Sequence, residues 1–210
     1  MKKIKITLLC GVAFALMAGT VRAVEKKAPS KSEPTTLENL QAAYNGEWNA
    51  KTKYEMFAAR AEMEGYLGVS GLFRAAAVSE GIHAAKHSKA IEAMGAVAKA
   101  YLKTPVVGST KENLKEALSG ENHESKKMYP AFLKKAEADN NRQAMYSFKG
   151  AMASEKEHSR LYSQALSNIE AWKAKRKFLV CQTCGYTTAD LKLKICPVCS
   201  QPRSQFTEIE

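Results

Sequence analysis

One arrangement of acidic residues and histidines occurs twice in this chain, and it constrains the fold more than any other feature. In each copy, a glutamate is followed 33 or 34 residues later by a Glu-x-x-His motif. The two side chains of that motif are three residues apart, so a helix presents both on one face. Four helices must meet if the two copies are to face each other. The residues are Glu47, Glu80 and His83 in the first copy, and Glu121, Glu155 and His158 in the second.

This set of side chains has the composition of a carboxylate-bridged dimetal site. Two iron ions held close together repel each other, and bridging carboxylates offset that repulsion, while one neutral imidazole per metal completes the shell. Without metal, several carboxylates inside a bundle would be very unfavourable or would take up protons. The alternative is that these glutamates lie on solvated helix faces, as most glutamates do. The matched repetition favours the dimetal site.

Three further residues lie close to the repeated motifs. Glu124 follows Glu121 by three residues and adds a carboxylate that the first copy lacks, so the two metals need not have equal surroundings. His123 lies between these two glutamates and should point away from both. His87 lies one turn beyond His83. We interpret both of these extra histidines as non-ligands.

Helical periodicity and end signals predict four long helices. Thr35 and Glu38 form a capping box before the first helix. The connection between the second and third helices contains Pro105 and Gly108 and is longer than a tight hairpin needs, so it should cross the bundle from end to end. Pro130 should bend the third helix, because proline lacks a backbone N–H. The predicted helices span about 37–64, 69–98, 111–138 and 141–174, which indicates a mainly α chain with a ferritin-like four-helix bundle over 37–174.

The C-terminal segment 178–210 contains four cysteines in two C-x-x-C pairs, with eleven residues between the pairs. Its apolar residues are too few to form a core without a metal or a cross-link. Thiolates are soft ligands, and two such pairs chelate zinc or a single iron tetrahedrally. Disulfides are the alternative, since exported proteins meet oxidising compartments. We predict a metal ion bound by Cys181, Cys184, Cys196 and Cys199.

The first 23 residues have the features of a Sec-type signal peptide. A lysine-rich start precedes an apolar run, and Val21 and Ala23 occupy the positions that a signal peptidase recognises. The run is shorter than the ~20 residues of a membrane-spanning helix, so a permanent anchor is the weaker alternative. Cys10 lies too early in the run for a lipoprotein cysteine. We predict cleavage after Ala23, a periplasmic or otherwise exported protein without a stable membrane anchor, and a flexible spacer over 24–36.

The charge of the chain gives little support for a nucleic-acid partner. The formal net charge is +11, and the predicted signal peptide carries four basic residues and no acidic one, which leaves +7 for the mature chain. This excess is scattered along amphipathic segments, and only residues 173–177, KAKRK, form a basic cluster. A nucleic-acid-binding protein would concentrate basic residues on one face, so we expect no nucleic acid as partner.

With the helix motifs and the cysteine pairs in one chain, the sequence resembles the rubrerythrins. Its glutamates and Glu-x-x-His motifs match the family's diiron ligands in order. GENHESKKMYP is close to the family's third helix, where the added carboxylate, here Glu124, distinguishes rubrerythrins from ferritins. CQTCGY and CPVC resemble the rubredoxin-like domain of the family, here 178–210. By the same resemblance, Tyr54 and Tyr129 take the positions of tyrosines that approach the diiron site, with plain aromatic packing as the alternative.

The resemblance implies an oxo-bridged diiron centre that reduces hydrogen peroxide to water. Electrons would reach it through a one-iron site formed by the four cysteines, supplied by an electron donor protein that the sequence does not identify. In many members one iron exchanges its ligands between redox states, which here would involve Glu124 and His83. The resemblance also implies a head-to-tail homodimer, in which the thiolate iron of one subunit serves the diiron centre of the other.

The chain departs from the family in three ways. It begins with a predicted signal peptide, whereas most members to which we compare it are cytosolic, so the usual reduced pyridine-nucleotide donor chain need not serve it. The segment between the cysteine pairs, GYTTADLKLKI, differs from the usual sequence of the family, and Ser200 replaces the usual glycine of rubredoxins. These changes leave the order of the ligands intact. They bear on the redox potential, because backbone hydrogen bonds to the sulfurs tune it.

Two other functions are alternatives to peroxide reduction. The first is iron oxidation and handling, as in ferritins, but Glu124 and the cysteine pairs argue against it. The second is a zinc-ribbon binding protein in which the helices serve as a scaffold, suggested by the basic cluster at 173–177. Zinc at the four cysteines would remove an electron relay and would favour this binding function.

Overall fold

The structure is a computed structural model that describes residues 33–210. Within that range, five α-helices precede a small three-stranded sheet, and none of the helices is both long and apolar enough to cross a membrane. The predicted signal peptide lies outside the described residues. The helices are α1 Thr36–Met63, α2 Leu67–Glu92, α3 Thr110–His123, α4 Tyr129–Ala138 and α5 Arg142–Ser167. The strands are β1 Phe178–Cys181, β2 Thr187–Thr188 and β3 Phe206–Ile209. With α3 and α4 in line as one rod, the prediction of a mainly α, ferritin-like four-helix bundle is confirmed.

The ends of the helices differ from the predicted ends at two places. The start of α1 is as predicted, with Thr35 in a reciprocal capping box. Helix α2 ends at Glu92, six residues before the predicted end, because Gly95 adopts φ +76° and turns the chain out of the helix. Helix α5 ends at Ser167, and a 3₁₀ turn over Ile169–Trp172 follows it. The bundle is therefore shorter at both of these ends than the sequence indicates.

The predicted third helix is distorted just before Pro130 and not at it. The chain forms a π-helical turn over Glu124–Met128, in which the Tyr129 N–H donates to the Glu124 carbonyl. Pro130 then lies in the first turn of α4, where its missing N–H is tolerated. The wider turn relieves the clash of the proline ring with the preceding helical turn. Such turns occur frequently at functional sites, and this one begins at the extra carboxylate.

The connection over residues 93–109, hereafter the crossover segment, has no regular structure before α3. Side-chain amides of α1 at positions 41, 45 and 49 hold it. Gln41 donates to the Val97 carbonyl at 2.7 Å, Asn45 accepts from the Tyr101 N–H at 2.7 Å, and Asn49 accepts from the Lys103 N–H at 2.8 Å. The spacing of four residues places the amides in one row along the helix. This row fixes an otherwise irregular segment against the bundle.

Residues 178–210, hereafter the cysteine module, form an antiparallel sheet in the order β2-β1-β3. The central strand β1 is buried on both faces. Its Phe178 and Val180 belong to the hydrophobic core of the bundle, whereas Leu179 and Cys181 pack inside the module. The module can therefore have few apolar residues, because half of its central strand uses the core of the helices.

Two glycines of α2 allow the chain to run close to that helix on its way into the module. A Cβ at Gly68 would lie 2.6 Å from the Ala174 carbonyl oxygen, and one at Gly71 would lie 3.1 Å from the Arg176 carbonyl oxygen. Side chains at these positions would push the segment between α5 and β1 away from α2. The missing side chains thus position the module directly over the bundle.

Candidate metal centre

Four helices contribute to one buried group of six side chains, hereafter the bundle site. Helices α1 and α3 each supply one glutamate, and α2 and α5 each supply a Glu-x-x-His motif. No member is more than 1 % exposed. The members are Glu47, Glu80, His83, Glu121, Glu155 and His158, which are the six residues of the repeated motif.

The bundle site divides into two overlapping sets of four residues. One set contains Glu47 and His83, and the other contains Glu121 and His158, whereas Glu80 and Glu155 belong to both. In each set, one potential ligand atom per residue lies within 4.8 Å of all the others. This is the arrangement that two neighbouring cations need, with one imidazole each and two carboxylates between them.

Several atoms of the bundle site lack the hydrogen bonds that buried polar groups normally have. Both carboxylate oxygens of Glu155 have no hydrogen-bond partner among residues 33–210. The same holds for one oxygen each of Glu47, Glu80 and Glu121, and for Nδ1 of His158. Buried oxygens and nitrogens without hydrogen-bond partners destabilise the fold when no metal is bound, but they are suitable ligands for cations. The residues present therefore fit a pair of metal ions.

Without metal, the carboxylates and imidazoles shift one another's pKa. Burial and the charge of Glu155 raise the pKa of Glu121 to about 8. Burial disfavours the charged form of Glu80 as well, but the imidazoles of His158 and His83 lower its pKa to about 2. Burial also opposes protonation of His83, yet Glu155 and Glu80 outweigh it and raise the pKa to about 9. Protons thus partly neutralise the metal-free site.

These shifts predict that the metal-free protein loses stability between about pH 6.5 and 9. His83 and Glu121 both have a folded-state pKa above the ordinary values of 6.5 and 4.5, so their stabilising contribution is lost as the pH rises through about 9 and 8. Glu80, with its lowered pKa, is constant in this window. After the metal has been removed by chelation, we expect the melting temperature to fall by roughly 5 °C or more between pH 6.5 and pH 9. Thermal unfolding followed by circular dichroism measures it.

The metal-loaded protein is the control for this pH dependence. Bound cations displace the protons from the bundle site, so its residues no longer titrate in the same window. The melting temperature of the loaded protein should change much less between pH 6.5 and 9. Equal slopes for the two forms would show that the buried carboxylates do not control the stability of the metal-free protein.

The cysteine module contacts the outer nitrogen of His158 directly and reaches that of His83 through Ser79 of α2. Both imidazoles turn Nδ1 towards the carboxylates and Nε2 towards the module. His158 Nε2 lies 3.0 Å from Thr187 Oγ1. His83 Nε2 lies 3.5 Å from Ser79 Oγ, which donates to the Gly185 carbonyl at 2.6 Å. Partners of this kind fix the ring orientation and tautomer of metal-binding histidines. Sequence reasoning missed Ser79, Thr187 and Gly185, because the motif spacing says nothing about the module's position.

Tyrosines form a second group of contacts with the carboxylates. Tyr54 donates to Glu121 Oε1 at 2.5 Å, and Tyr129 donates to Glu47 Oε1. Both were predicted to approach the site, and the structure places them there. Tyr162 is a further buried tyrosine that the sequence analysis missed, with its ring 5.8 Å from that of Tyr54. Its position four residues after the second histidine motif was the available signal.

The three extra residues near the motifs have different surroundings. Glu124 is partly exposed and belongs to neither set of four, but burial and the charge of Glu121 raise its pKa well above the usual range. His123 is exposed and faces away, as predicted. His87 is fully buried outside both sets, with Nδ1 2.7 Å from Ser147 Oγ, and burial lowers its pKa to about 3. The Nε2 atom of His87 also lies 3.5 Å from Glu47 Oε1, and the interpretation of both histidines as non-ligands stays a prediction.

The four cysteine sulfurs also converge, in what is hereafter the cysteine site. They lie within 4.8 Å of one another, and all four cysteines are free. The Cys181–Cys199 and Cys184–Cys196 sulfur pairs are each 3.6 Å apart. Four sulfurs bound at ~2.3 Å to one tetrahedral metal would be about 3.8 Å apart, so the cluster fits a single metal ion. Hydrogen bonds from Cys184 lower the pKa of the Cys181 thiol to about 5, which favours the thiolate.

Each cysteine pair is followed directly by a residue with positive φ. Gly185 has φ +83° and Ser200 has φ +59°. Their N–H groups donate to the carbonyls of Cys181 and Cys196, respectively, which closes the turn around each pair. Ser200 therefore occupies a left-handed conformation that glycine adopts more easily, at a cost of roughly 1 kcal/mol. This is the structural consequence of the serine noted in the sequence.

Comparisons with known proteins agree with these two sites. The rubrerythrin family model matches residues 38–166. Nigerythrin from Nitratidesulfovibrio vulgaris is 36 % identical over 174 residues, which are 82 % of this chain and 86 % of that protein. Rubrerythrin-1 from Clostridium acetobutylicum is 36 % identical over 185 residues, covering 81 % of this chain and 92 % of that protein.

Solved structures show the same similarity. Fully reduced, all-ferrous nigerythrin has a TM-score of 0.78 and 35 % identity, covering 85 % of this chain and 88 % of that chain. Bacterioferritin from Mycobacterium tuberculosis shares the fold alone, with a TM-score of 0.60 and 16 % identity over 68 % of this chain. Since the bundle site, the cysteine site and both kinds of comparison agree, this chain belongs to the rubrerythrin family.

Proposed function

We propose that this protein is a peroxidase that reduces hydrogen peroxide to water at a diiron centre in the bundle site. Hydrogen peroxide takes up two electrons and two protons and yields two water molecules. The observation that carries the proposal is the pair of four-residue sets that share Glu80 and Glu155. When bound, two ferrous ions would supply one electron each for cleavage of the O–O bond.

The protein's own residues would hold, orient and neutralise this centre. Glu80 and Glu155 belong to both sets and would bridge the irons, while His83 and His158 would bind one iron each through Nδ1. Tyr54 donates a hydrogen bond to Glu121 and so orients that carboxylate. The near-complete burial of these residues keeps bulk water away from the reaction.

We further propose that the cysteine site binds one iron and passes electrons to the bundle site of the same chain. Cys184 is followed directly by Gly185, whose carbonyl accepts from Ser79 at 2.6 Å and from Thr187 at 3.3 Å. These two hydroxyls lie next to the outer nitrogens of His83 and His158. A short chain of covalent and hydrogen bonds therefore joins the two sites, which supports direct electron transfer.

The test begins with metal analysis and a visible spectrum. We expect two irons in the bundle site and one in the cysteine site per chain, with thiolate-to-ferric charge-transfer bands from the latter. The chemically reduced protein, mixed anaerobically with peroxide, should consume it much faster than the metal-free protein. Equal rates for the two forms would contradict the peroxidase proposal. Zinc at the cysteine site would contradict only the relay.

A Cys196→Ser variant separates the relay from the reaction. It should keep the diiron absorption and the first turnover of the pre-reduced protein, because Cys196 lies outside the bundle site. Reduction of the diiron centre by an external donor should be slower by at least ~10-fold, since one thiolate of the relay is missing. Unchanged reduction kinetics would show that electrons enter by another route.

Three parts of the proposal concern the surroundings of the protein. Export after cleavage at Ala23, a homodimer and an unidentified electron donor protein remain predictions from the sequence. N-terminal sequencing of the native protein tests the cleavage, since a start before Val24 would contradict it. Sedimentation analysis of the iron-loaded protein tests the dimer.

A further inference from the structure

A cleft of about 380 Å³ lies beside the crossover segment and reaches Tyr54 and Glu124, next to the bundle site. It lies between α1, α3 and the crossover segment. Its lining includes Lys103 and Pro105 of that segment together with Tyr54 and Glu124. Tyr54 donates to the Glu121 carboxylate, so the cleft reaches a residue in direct contact with the bundle site.

Two helical glycines keep this cleft open. Gly46 and Gly120 both line it, and each directly precedes a glutamate of the bundle site. A Cβ built at either position would have no atom of the described chain within 4 Å, apart from its own helix and neighbours. Glycine inside a helix costs about 1 kcal/mol relative to alanine. Tight packing does not explain this cost here, whereas free space beside the carboxylates does.

The outer wall of the cleft is held in place and is not a loose loop. Asn45 and Asn49 line the cleft and also bind the backbone of the crossover segment. Asn45 accepts from the Tyr101 N–H at 2.7 Å, and Asn49 both accepts from the Lys103 N–H and donates to the Tyr101 carbonyl at 3.1 Å. The volume is therefore built into the fold.

The size of the cleft exceeds what hydrogen peroxide requires. Peroxide has two oxygen atoms and needs about the space of two waters, at ~30 Å³ each. The observed volume lies within the ~300–1,000 Å³ of typical small-molecule sites. Ala50, Pro105 and the two glycines provide apolar surface on the walls, whereas the other lining residues are polar or charged. Among these, Tyr54 contacts the metal-ligand candidate Glu121.

We propose that the cleft binds small alkyl hydroperoxides, which this protein reduces to alcohols. The O–O bond breaks, two electrons and two protons are taken up, and one alcohol and one water form. The electrons come from the reduced iron pair, so the inference rests on the proposed function. The alkyl group would lie beside Gly46 and Gly120, with the O–O group towards Glu124.

The test compares two substrates in variants that fill the cleft. Gly120→Leu should lower kcat/KM for tert-butyl hydroperoxide, relative to that for hydrogen peroxide, by at least ~10-fold, because a branched side chain occupies the space of the alkyl group. Gly46→Leu fills the cleft from the opposite wall, and it replaces Gly120→Leu in this test if that variant binds metal poorly. Ala42→Val, at an exposed position of α1, is the control and should leave both rates unchanged.

A binding experiment provides a readout without turnover. The zinc-loaded protein is redox-inert, and titration with tert-butyl hydroperoxide should shift the backbone amide signals of Gly46 and Gly120 in a saturable way. The Gly120→Leu variant should lose the shift at Gly46. No saturable shift, or reduction of hydrogen peroxide without reduction of the alkyl hydroperoxide, overturns the inference. Failure with both peroxides overturns the proposed function and with it the reduction of alkyl hydroperoxides, and the titration then decides only whether the cleft binds them.

Discussion

Replacement of Glu155 by glutamine is expected to remove both metal ions from the bundle site and to lower peroxide consumption by more than ~100-fold. Glu155 belongs to both sets of four residues, and neither of its oxygens has a hydrogen-bond partner within residues 33–210. Glutamine keeps the shape of the side chain but removes its charge and turns an N–H₂ group towards the cations. Metal analysis of the purified variant and peroxide consumption after chemical reduction measure the effect.

Glu157→Gln is the matched control for this substitution. Glu157 lies two residues further along α5 and forms an ion pair with Arg160 at 2.5 Å. An ion pair of this kind on a helix surface contributes at most ~1 kcal/mol to the free energy of unfolding. The variant should therefore keep its full metal content and activity. If Glu155→Gln retained the metal of both sets, a bridging role for this carboxylate would be wrong. Circular dichroism distinguishes metal loss from unfolding.

Gly185→Ala is expected to displace the cysteine module from the bundle. The free energy of unfolding of the metal-loaded protein should fall by roughly 3 kcal/mol or more. A Cβ at this position would lie 2.6 Å from His83 Cδ2, closer still to Nε2, and 3.1 Å from Ser79 Oγ. His83 cannot retreat, because its other edge faces Glu80 at 2.9 Å and Glu155 at 3.1 Å. Thermal unfolding of the loaded variant, with its metal content, measures this effect.

Gly95→Ala separates the contact from the backbone conformation. Gly95 has φ +76°, close to the +83° of Gly185, but a Cβ there would meet no atom of the described chain within 4 Å. Its replacement should cost only the ~1 kcal/mol of an alanine in the left-handed region. Equal losses in the two variants would show that the module does not press on His83.

The contact at Gly185 also bears on how electrons reach the bundle site. The family resemblance implied a route between the subunits of a homodimer, and that route stays a prediction. In the structure, the backbone next to Cys184 already touches the hydroxyls of Ser79 and Thr187 beside both histidines of its own chain. If the Gly185→Ala variant keeps its irons, slower reduction of its bundle site would favour the route within one chain.

Much of the bundle was predictable because its signals are local. The capping box at Thr35 begins α1, and each Glu-x-x-His motif places two side chains on one helical face. The wide turn over Glu124–Met128 was only partly predictable, since Pro130 indicates a distortion but not its position or type. The amides that hold the crossover segment gave no recognisable pattern, because they bind backbone groups more than 50 residues away.

By itself, the sequence determined the six side chains of the bundle site, the four cysteines and the order of the helices, because helical period and ligand spacing act over a few residues. Only the tertiary structure decided that the cysteine module rests on His83 and His158, and that a cleft opens beside Glu124. Gly185 and Ser79 are 106 residues apart, and their contact depends on how strand β1 fills the core of the bundle. Packing across such distances depends on the shape of the whole core, so no local pattern encodes it.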